Sequence, residues 1–564
     1  MLQTCLLSDL KIFRPDESTK DLADKLSCPE LAAGVLEMIR GDEDINSLRE
    51  WIKPDFAIQM ENLDLGEGGK AAKALWESKS SFGNVVVYGD YDTDGISSTV
   101  LAMEIFRKKA AQVRYFIPRR DTHGYGLNAG MLEKIAAMGC NTLIVVDCGT
   151  NDSEMLEKLR EVGIDVFVFD HHSVSAPITI PTIVNPCINT ELGEHQKICA
   201  TAVLWCWAWK ENIVSRDFLK YEIDLAAIAT VADCMPLHNL NRSLVRYGLK
   251  LMRINPRRGL SALFDCLGIN KSQLNEEQLS MRIIPCLNAP GRIATADTGV
   301  RALLGAGNNE AVYTCVNDLM RINKKRQTLT ENIAHDIDEG LAAGKITNKV
   351  LYNVSWPIGV LSGVASRICA QYSIPIALAA PVGNRVIRGT LRVPDGGNAV
   401  KVLREISEKV GLDAWGGHKY AAGFSVLLEN WAAVRKELER ILSEIEIKPE
   451  NLTSVIDISP SDITISDWRA VSALGPFGND NPAPKFYIEK ILDGSEINPL
   501  GKDGRHCYVK INKAKLLAFN TSVHDMAEKI NEIQGFIYHP RLDYWRNEEQ
   551  LQFILDCAVT KGEI

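Results

Sequence analysis

Between residues 84 and about 180 the chain alternates two kinds of pattern. The stretches "NVVVYG", "VRYFIP", "NTLIVVD" and "DVFVFD" are short runs rich in β-branched and aromatic residues, while "AGMLEKIAAMG" and "SEMLEKLREVG" carry apolar residues at helical spacing. Strand and helix in alternation leave little topological freedom. Parallel strands need crossover helices, and those helices cover both faces of the sheet. The spacing therefore predicts an α/β fold. In an open parallel sheet, ligands bind at the carboxyl ends of the strands.

Those ends carry chemistry. Asp90, Asp92 and Asp94 follow the first run, Asp147 follows the third, and Asp170, His171 and His172 follow the fourth; a helix-like stretch, "IATVADCMPL", adds Asp233. The first three aspartates and Gly95 also resemble the start of an EF-hand, but such a loop needs a glutamate at its twelfth position, where Leu101 stands. A single D-x-D is ordinarily a turn or a solvated face, and Asp147 could cap a helix, although Asn151 and Asp152 are also available for that. The joint placement after three apolar runs is what points to a site. Several carboxylates and a histidine in one crevice repel each other unless cations are bound, so two divalent metal ions are expected. Mixed carboxylate and imidazole donors favour manganese, with magnesium as the alternative.

Composition bounds the rest. A chain of 564 residues predicts about three or four domains. A composition 46% hydrophobic and 24% charged is that of a soluble globular protein. No apolar run approaches a membrane span, and the N-terminus lacks the basic and apolar regions of a leader, so a cytoplasmic protein with no membrane contact is expected. The 14 cysteines include no C-x-x-C pair and read as buried thiols. A formal net charge of -9 counts against bulk polyanion binding, so any nucleic-acid contact has to be local or carried by metal ions.

Along the chain, residues 1–80 read as a helical extension, 81–265 as the catalytic α/β unit, 266–345 as a helical connector, 346–430 as a second α/β unit, and 450–564 as a β-rich tail. The connector ends in a long helix over about 310–345 bearing Arg321, Lys324, Lys325 and Arg326.

The motifs "DYDTDG", "VDCGT", "DHH", "TVADCMPL", "NAPGR" and "GGHKYAAGF" resemble the DHH phosphoesterase superfamily. Their order, with "LGPFGNDNPAPKF" further on, is similar to the RecJ-type single-strand-specific exonucleases. The resemblance implies a DHH parallel-sheet domain and a DHHA1 substrate-binding domain joined by a long helix, with a C-terminal OB-like β-barrel. It implies a metal-dependent 5'-to-3' exodeoxyribonuclease that releases mononucleotides in DNA repair and recombination. Asp90 and Asp92 would then face one metal, Asp94, His171 and Asp233 the other, and Asp147 would bridge them, with His172 against the scissile phosphate. Arg120, Arg292, Thr390 and Arg392, with Gly416, Gly417 and His418, would hold the 5' phosphate or the strand. The resemblance also implies a monomer acting on single-stranded DNA, with a RecQ-type helicase and a single-strand-binding protein as candidate partners.

The chain departs from the family pattern in three places. Tyr88 stands where many relatives carry histidine, Thr390 to Val393 replace a Ser-x-Arg-Ser stretch, and Trp356 to Gly359 lack the histidine of a Trp-His-Pro-Gly stretch. Two rivals share the DHH signature: a phosphodiesterase for short oligonucleotides or cyclic dinucleotides, and a replication-fork scaffold that binds DNA without cutting it.

Overall fold

The computed structural model describes residues 2–119, 126–188, 197–445, 452–489, 497–501, 504–511, 514–545 and 548–561. Two compact units share the chain: Ala57–Pro236 with Ser243–Lys448, and Met1–Phe56 with Leu237–Arg242 and Pro449–Ile564.

In the first of these units the alternating region forms a five-stranded, all-parallel sheet. Its strands are β1 (Asn84–Tyr88), β2 (Gln112–Phe116), β3 (Thr142–Val146), β4 (Asp165–Phe169) and β5 (Ile183–Val184), in the order β2-β1-β3-β4-β5. Every residue of the central β3 is buried, as its unbroken apolar run "TLIVV" requires. Helix α1 (Thr93–Phe106) follows β1 and is buried nearly all round. Ser98 and Thr99 fit that burial because they return their hydroxyls to the carbonyls of Asp94 and Gly95.

Helices α2 (Ala200–Lys210) and α3 (Arg216–Ala232) complete the layer. Arg257 fixes α3 from outside: Nε and Nη2 each reach an oxygen of Asp224 at 2.6 Å, and Nη2 also reaches Glu222 at 3.0 Å. That planar, two-pronged grip holds the helix whose C-terminal end carries Asp233.

Helix α4 (Ile284–Ile293) leads towards α5 (Asn309–Ala342), which has 34 residues and so extends about 50 Å. The sequence suggests an exposed helix here. In the structure α5 is amphipathic, burying Val312, Val316, Leu319, Asn323 and Ile333. A second five-stranded sheet follows, built from β6 (Val350–Tyr352), β7 (Ile376–Val382), β8 (Val386–Arg392), β9 (Ala414–His418) and β10 (Ala421–Leu427) in the order β9-β10-β8-β7-β6. Helix α6 (Ile358–Tyr372) lies between β6 and β7 in sequence and joins a buried cluster with β7.

The other unit is a nine-stranded sheet with helices against it. Leu10–Phe13 pairs in parallel with Thr453–Asp457, and Thr4–Leu6 pairs in parallel with Glu548–Thr560. Val35, Leu36 and Trp51 enter the same buried cluster as Phe486, Phe536 and Tyr538. Arg242, 1% exposed, donates to the carbonyls of Trp51 and Leu474. Where the sequence suggests a helical extension over 1–80, its first 56 residues thus fold with the C-terminal β-rich segment. Pairing between strands some 440 residues apart leaves no local signal in either. Among the described residues no helix is long and apolar enough to cross a membrane.

Candidate metal centre

The acidic groups converge because the strands are parallel and in register. Beyond β1 the chain turns through Gly89 and Asp90 into α1, and Gly95 lets that turn close: a Cβ there would stand 2.5 Å from the Asp90 carbonyl oxygen. Asp92 is the N-cap of α1 and accepts from the Gly95 N–H at 3.1 Å. Asp94 is 2% exposed and is met by the first turn of α2. Its oxygens accept the Ala200 and Thr201 N–H groups at 2.7 and 2.9 Å, and the Thr201 hydroxyl at 2.6 Å. A helix N-terminus offers free donors and a favourable dipole to such a carboxylate.

Asp147 follows β3 with φ at 60°, a left-handed conformation that a short polar side chain tolerates. The turn aims its carboxylate back over the strand ends. His171, beyond β4, brings Nε2 to 3.3 Å from Asp147, 3.5 Å from Asp233 and 3.8 Å from Asp94. Three groups of donor atoms result, each within 4.8 Å internally: Asp90, Asp92 and Asp147; Asp94, His171 and Asp233; and Asp147, Asp170, His171 and His172. Asp147 belongs to two of the three.

The electrostatics follow from burial and crowding. Asp147 is pushed well above the usual carboxylate range by burial and then by the charges of Asp94, Asp92, Asp90 and Asp233. Burial, Asp94 and Asp92 push Asp233 up to about 8. Burial lowers His171 despite the nearby carboxylates. Carboxylates packed to this degree, beside an imidazole kept neutral, form the donor set a hard or borderline divalent cation requires. The residues present fit such ions.

Asp170 plays another part. It is 1% exposed, accepts from the N–H groups of Thr150, His171 and His172, and holds His172 Nδ1 at 2.7 Å. Burial opposes its ionisation, but the His172 bond and charge outweigh it and hold the carboxyl below its ordinary range. His172 in turn rises to about 9, since Asp170 overcomes the effect of burial. Asn185 braces the pair, donating to Thr150 Oγ1 and to the His172 carbonyl, both at 2.9 Å. Tyr88 is wholly buried and donates to the Gly126 carbonyl at 2.9 Å, so its phenol is engaged by the backbone.

A cavity of about 320 Å³ adjoins the cluster, its wall including Ala232 and Cys234 on either side of Asp233. Arg292 of α4 and Arg392 of β8 line it, together with Asn288, Arg326, Ser362 and Ser366. Arg292 donates to Ser362 Oγ at 2.9 Å, and Arg392 to Ser366 Oγ at 3.0 Å and Thr390 Oγ1 at 2.8 Å. Cross-strand pairing sets Arg392, Ala421 and His418 in one row, and Thr390, Gly423 and Gly416 in the next. Paired residues share a face, so Thr390, Arg392, Gly416 and His418 line one side of the sheet. Gly417 points to the other, where a Cβ would meet the Ala421 carbonyl at 2.3 Å. Arg120 lies outside the described residues. Asn288 opens the "NAPGR" motif, from which the sequence reading takes only Arg292, and Ser362 and Ser366 are not singled out at all; the motif and the two serines four apart on α6 are the available signals.

Three family descriptions match: the DHH family, N-terminal domain over residues 84–235, the DHHA1 domain over 346–444, and the RecJ OB domain over 456–556. The chain is 27% identical to the single-stranded-DNA-specific exonuclease RecJ of Bacillus subtilis, over 98% of this chain and 71% of the relative. It is 30% identical to the Thermus thermophilus protein of the same name, over 80% of this chain and 65% of the relative. Among solved structures it is similar to RecJ of Thermus thermophilus in complex with Mn2+, with a TM-score of 0.79 at 26% identity, covering all of this chain and 79% of that one.

Proposed function

Because the chain belongs to the RecJ family within the DHH phosphoesterases, we propose that it is a metal-dependent exonuclease that degrades single-stranded DNA from the 5' end and releases mononucleotides, in DNA repair and recombination. The observation that carries this reading is the pair of donor groups, brought together where Asp147 stands 3.3 Å from His171, beside an arginine-lined cavity.

Asp90, Asp92 and Asp147 would hold one divalent ion, and Asp94, His171 and Asp233 a second, manganese preferred and magnesium the alternative. When bound, such ions supply a lowered pKa for water and neutralise charge on the phosphate. The side chains do the rest. Asp170 fixes the His172 ring through Nδ1, which orients the protonated Nε2 for donation to a phosphate oxygen. Arg292 and Arg392 offer planar donors to a terminal phosphate, and their serine and threonine partners hold the guanidinium groups in place. A phosphate gripped in the cavity would leave the first internucleotide linkage at the cluster, which gives 5'-to-3' direction.

The β-rich unit supplies a surface for the strand, a need that small cyclic or dinucleotide substrates do not have. We infer a cytoplasmic monomer, with a RecQ-type helicase and a single-strand-binding protein as candidate partners. The deciding experiment is manganese-dependent digestion of end-labelled strands, comparing 5' with 3' label and DNA with RNA. Release of a labelled mononucleotide at once from the 5' end of DNA is expected; release from the 3' end first, or cleavage confined to very short substrates, would overturn the assignment.

A further inference from the structure

Asn288 and Arg292 stand four residues apart on α4, so their side chains share a face. Both line the arginine cavity, yet they hold different structures. Arg292 reaches α6 through Ser362. Asn288 reaches the acidic turn, where its Oδ1 accepts both the backbone N–H of Thr93 at 2.8 Å and the Thr93 hydroxyl at 2.9 Å. Thr93 lies between Asp92 and Asp94, is 1% exposed, and is the first residue of α1. Its N–H is one of the donors that a helix start leaves without an intrahelical partner, and burial removes water as the substitute.

The backbones close the same line. A Cβ on Gly291 would stand 2.2 Å from the Tyr91 carbonyl oxygen, and one on Gly359 would stand 1.9 Å from the Arg292 carbonyl oxygen. Helix α4 is thus packed without clearance against the acidic turn on one side and the start of α6 on the other. Such packing leaves the turn no room to shift unless Asn288 shifts with it.

We propose that Asn288 is a positioning residue for the metal centre: from the wall of the anion cavity, its amide carbonyl fixes the Asp92–Asp94 turn in the conformation that presents both carboxylates. The inference rests on the metal-dependent reading above. It assigns Asn288 no contact with substrate; its effect passes through Thr93.

The test is Mn2+ binding to the full chain by calorimetry, with no DNA present. Asn288→Ala should weaken Mn2+ binding by about 10- to 100-fold, the usual effect of losing a group that orients a ligand. Asn288→Asp keeps an acceptor for Thr93 and should stay within a few fold of the parent. In turnover, Asn288→Ala should lower kcat while KM for a phosphorylated strand stays close to the parent value. If Asn288→Ala does not fold, Thr93→Val, which removes one of the two bonds, should show a smaller weakening in the same direction. Parent-like Mn2+ affinity in the folded alanine or valine variant overturns the proposal, as does equal loss in the alanine and aspartate variants. A parent that binds no Mn2+ overturns the metal reading itself, a failure distinct from that of the variants.

Discussion

His171 Nε2 and Asp147 Oδ1 approach to 3.3 Å from the ends of the neighbouring strands β4 and β3. An ion pair would charge the imidazole, but burial lowers His171 while burial and four other carboxylates raise Asp147. The contact is therefore two donors facing a common point. Asp147→Asn keeps the size of the side chain and a residue type that tolerates the left-handed backbone. Hydrolysis should fall by several orders of magnitude, because the carboxylate belongs to one donor group and stands 3.3 Å from His171 of the other. The metal-free protein should melt at a higher temperature at neutral pH, since the cost of burying that carboxyl, or of keeping it protonated, is gone. Activity assays and thermal melts in chelator check the two halves separately.

A second prediction concerns pH in the absence of metal. Asp233 titrates at about 8 in the folded chain, far above an exposed aspartate. The folded state therefore keeps a proton that the unfolded state gives up, and stability falls as pH rises from about 4 through about 8. Asp147, raised for the same reasons, acts in the same direction. Metal ions replace those protons, so the gain in melting temperature on adding Mn2+ should be larger at pH 8 than at pH 5. Melting curves with and without chelator across that range decide it; a gain that does not depend on pH would mean the ions bind elsewhere.

His172 gives a sign that can be read in rates. Its pKa of about 9 depends on Asp170, whose bond outweighs burial. If the charged ring donates to phosphate, activity should decline as pH rises through about 9. Asp170→Asn leaves only the charges of Asp233 and Asp90 against burial and moves that decline down towards the ordinary histidine range. The variant should therefore retain more of its activity at pH 6 than at pH 8. A parallel loss at both values would reduce Asp170 to a packing role.

Much of this site is legible in the sequence. Each strand end that carries Asp90, Asp147 or His171 is announced by an apolar run followed by a polar break, a pattern that local sequence records well. Asp233 is legible because it ends a long apolar helix. The remainder depends on contacts between distant segments. Nothing around Asn288 indicates that it meets Thr93, 195 residues earlier. Leu10–Phe13 likewise gives no sign of its partner Thr453–Asp457. The split of the DHH motif into Asp170, which holds, and His171, which faces the other donors, is equally invisible along the chain. Adjacent residues beyond a strand end can point anywhere.

The cavity and the neighbouring sheet should separate by end chemistry. Arg292→Ala removes a charge-assisted contact worth about 1.5 to 3 kcal/mol, so use of 5'-phosphorylated ends should fall by roughly 10- to 150-fold. Ends bearing a hydroxyl should be little affected. His418 sits two strands from Arg392 in the same row, about 10 Å away at the usual strand spacing. His418→Ala should therefore weaken both kinds of end alike, as a contact to the strand rather than to its terminus. Competition between the two substrates in one reaction gives the ratio directly.

The last prediction concerns the β-rich unit, where removing everything beyond about residue 450 would be a poor test. It would strip Leu10–Phe13 of its partner strand and open the core shared by Val35, Trp51, Phe486 and Phe536. Point changes on one hairpin avoid that damage. Strands His506–Ile511 and Ala514–Ala518 bury Cys507, Val509, Ile511, Leu516 and Ala518, so by alternation His506, Tyr508, Lys510, Lys515 and Leu517 turn outward. Phe519 continues that face at 44% exposure, with its ring 5.6 Å from that of His506, and Lys515 Nζ lies 4.7 Å over the Tyr508 ring. Aromatic faces interleaved with cations suit stacked bases and backbone phosphates, on a chain whose net charge of -9 otherwise repels them. Each stacked base is worth about 1 to 3 kcal/mol, so Tyr508→Ala with Phe519→Ala should weaken binding of a long single strand by tens of fold or more. Lys510→Glu with Lys515→Glu should flatten the salt dependence, since each lysine lost removes about 0.7 from the slope for a single strand. Short oligonucleotides that need only the metal centre should be cut at near the parental rate by both pairs of variants. If long-strand affinity and salt slope both stay at parental values, this hairpin is an ordinary solvated face, and the strand must be held by the arginine cavity and its sheet alone.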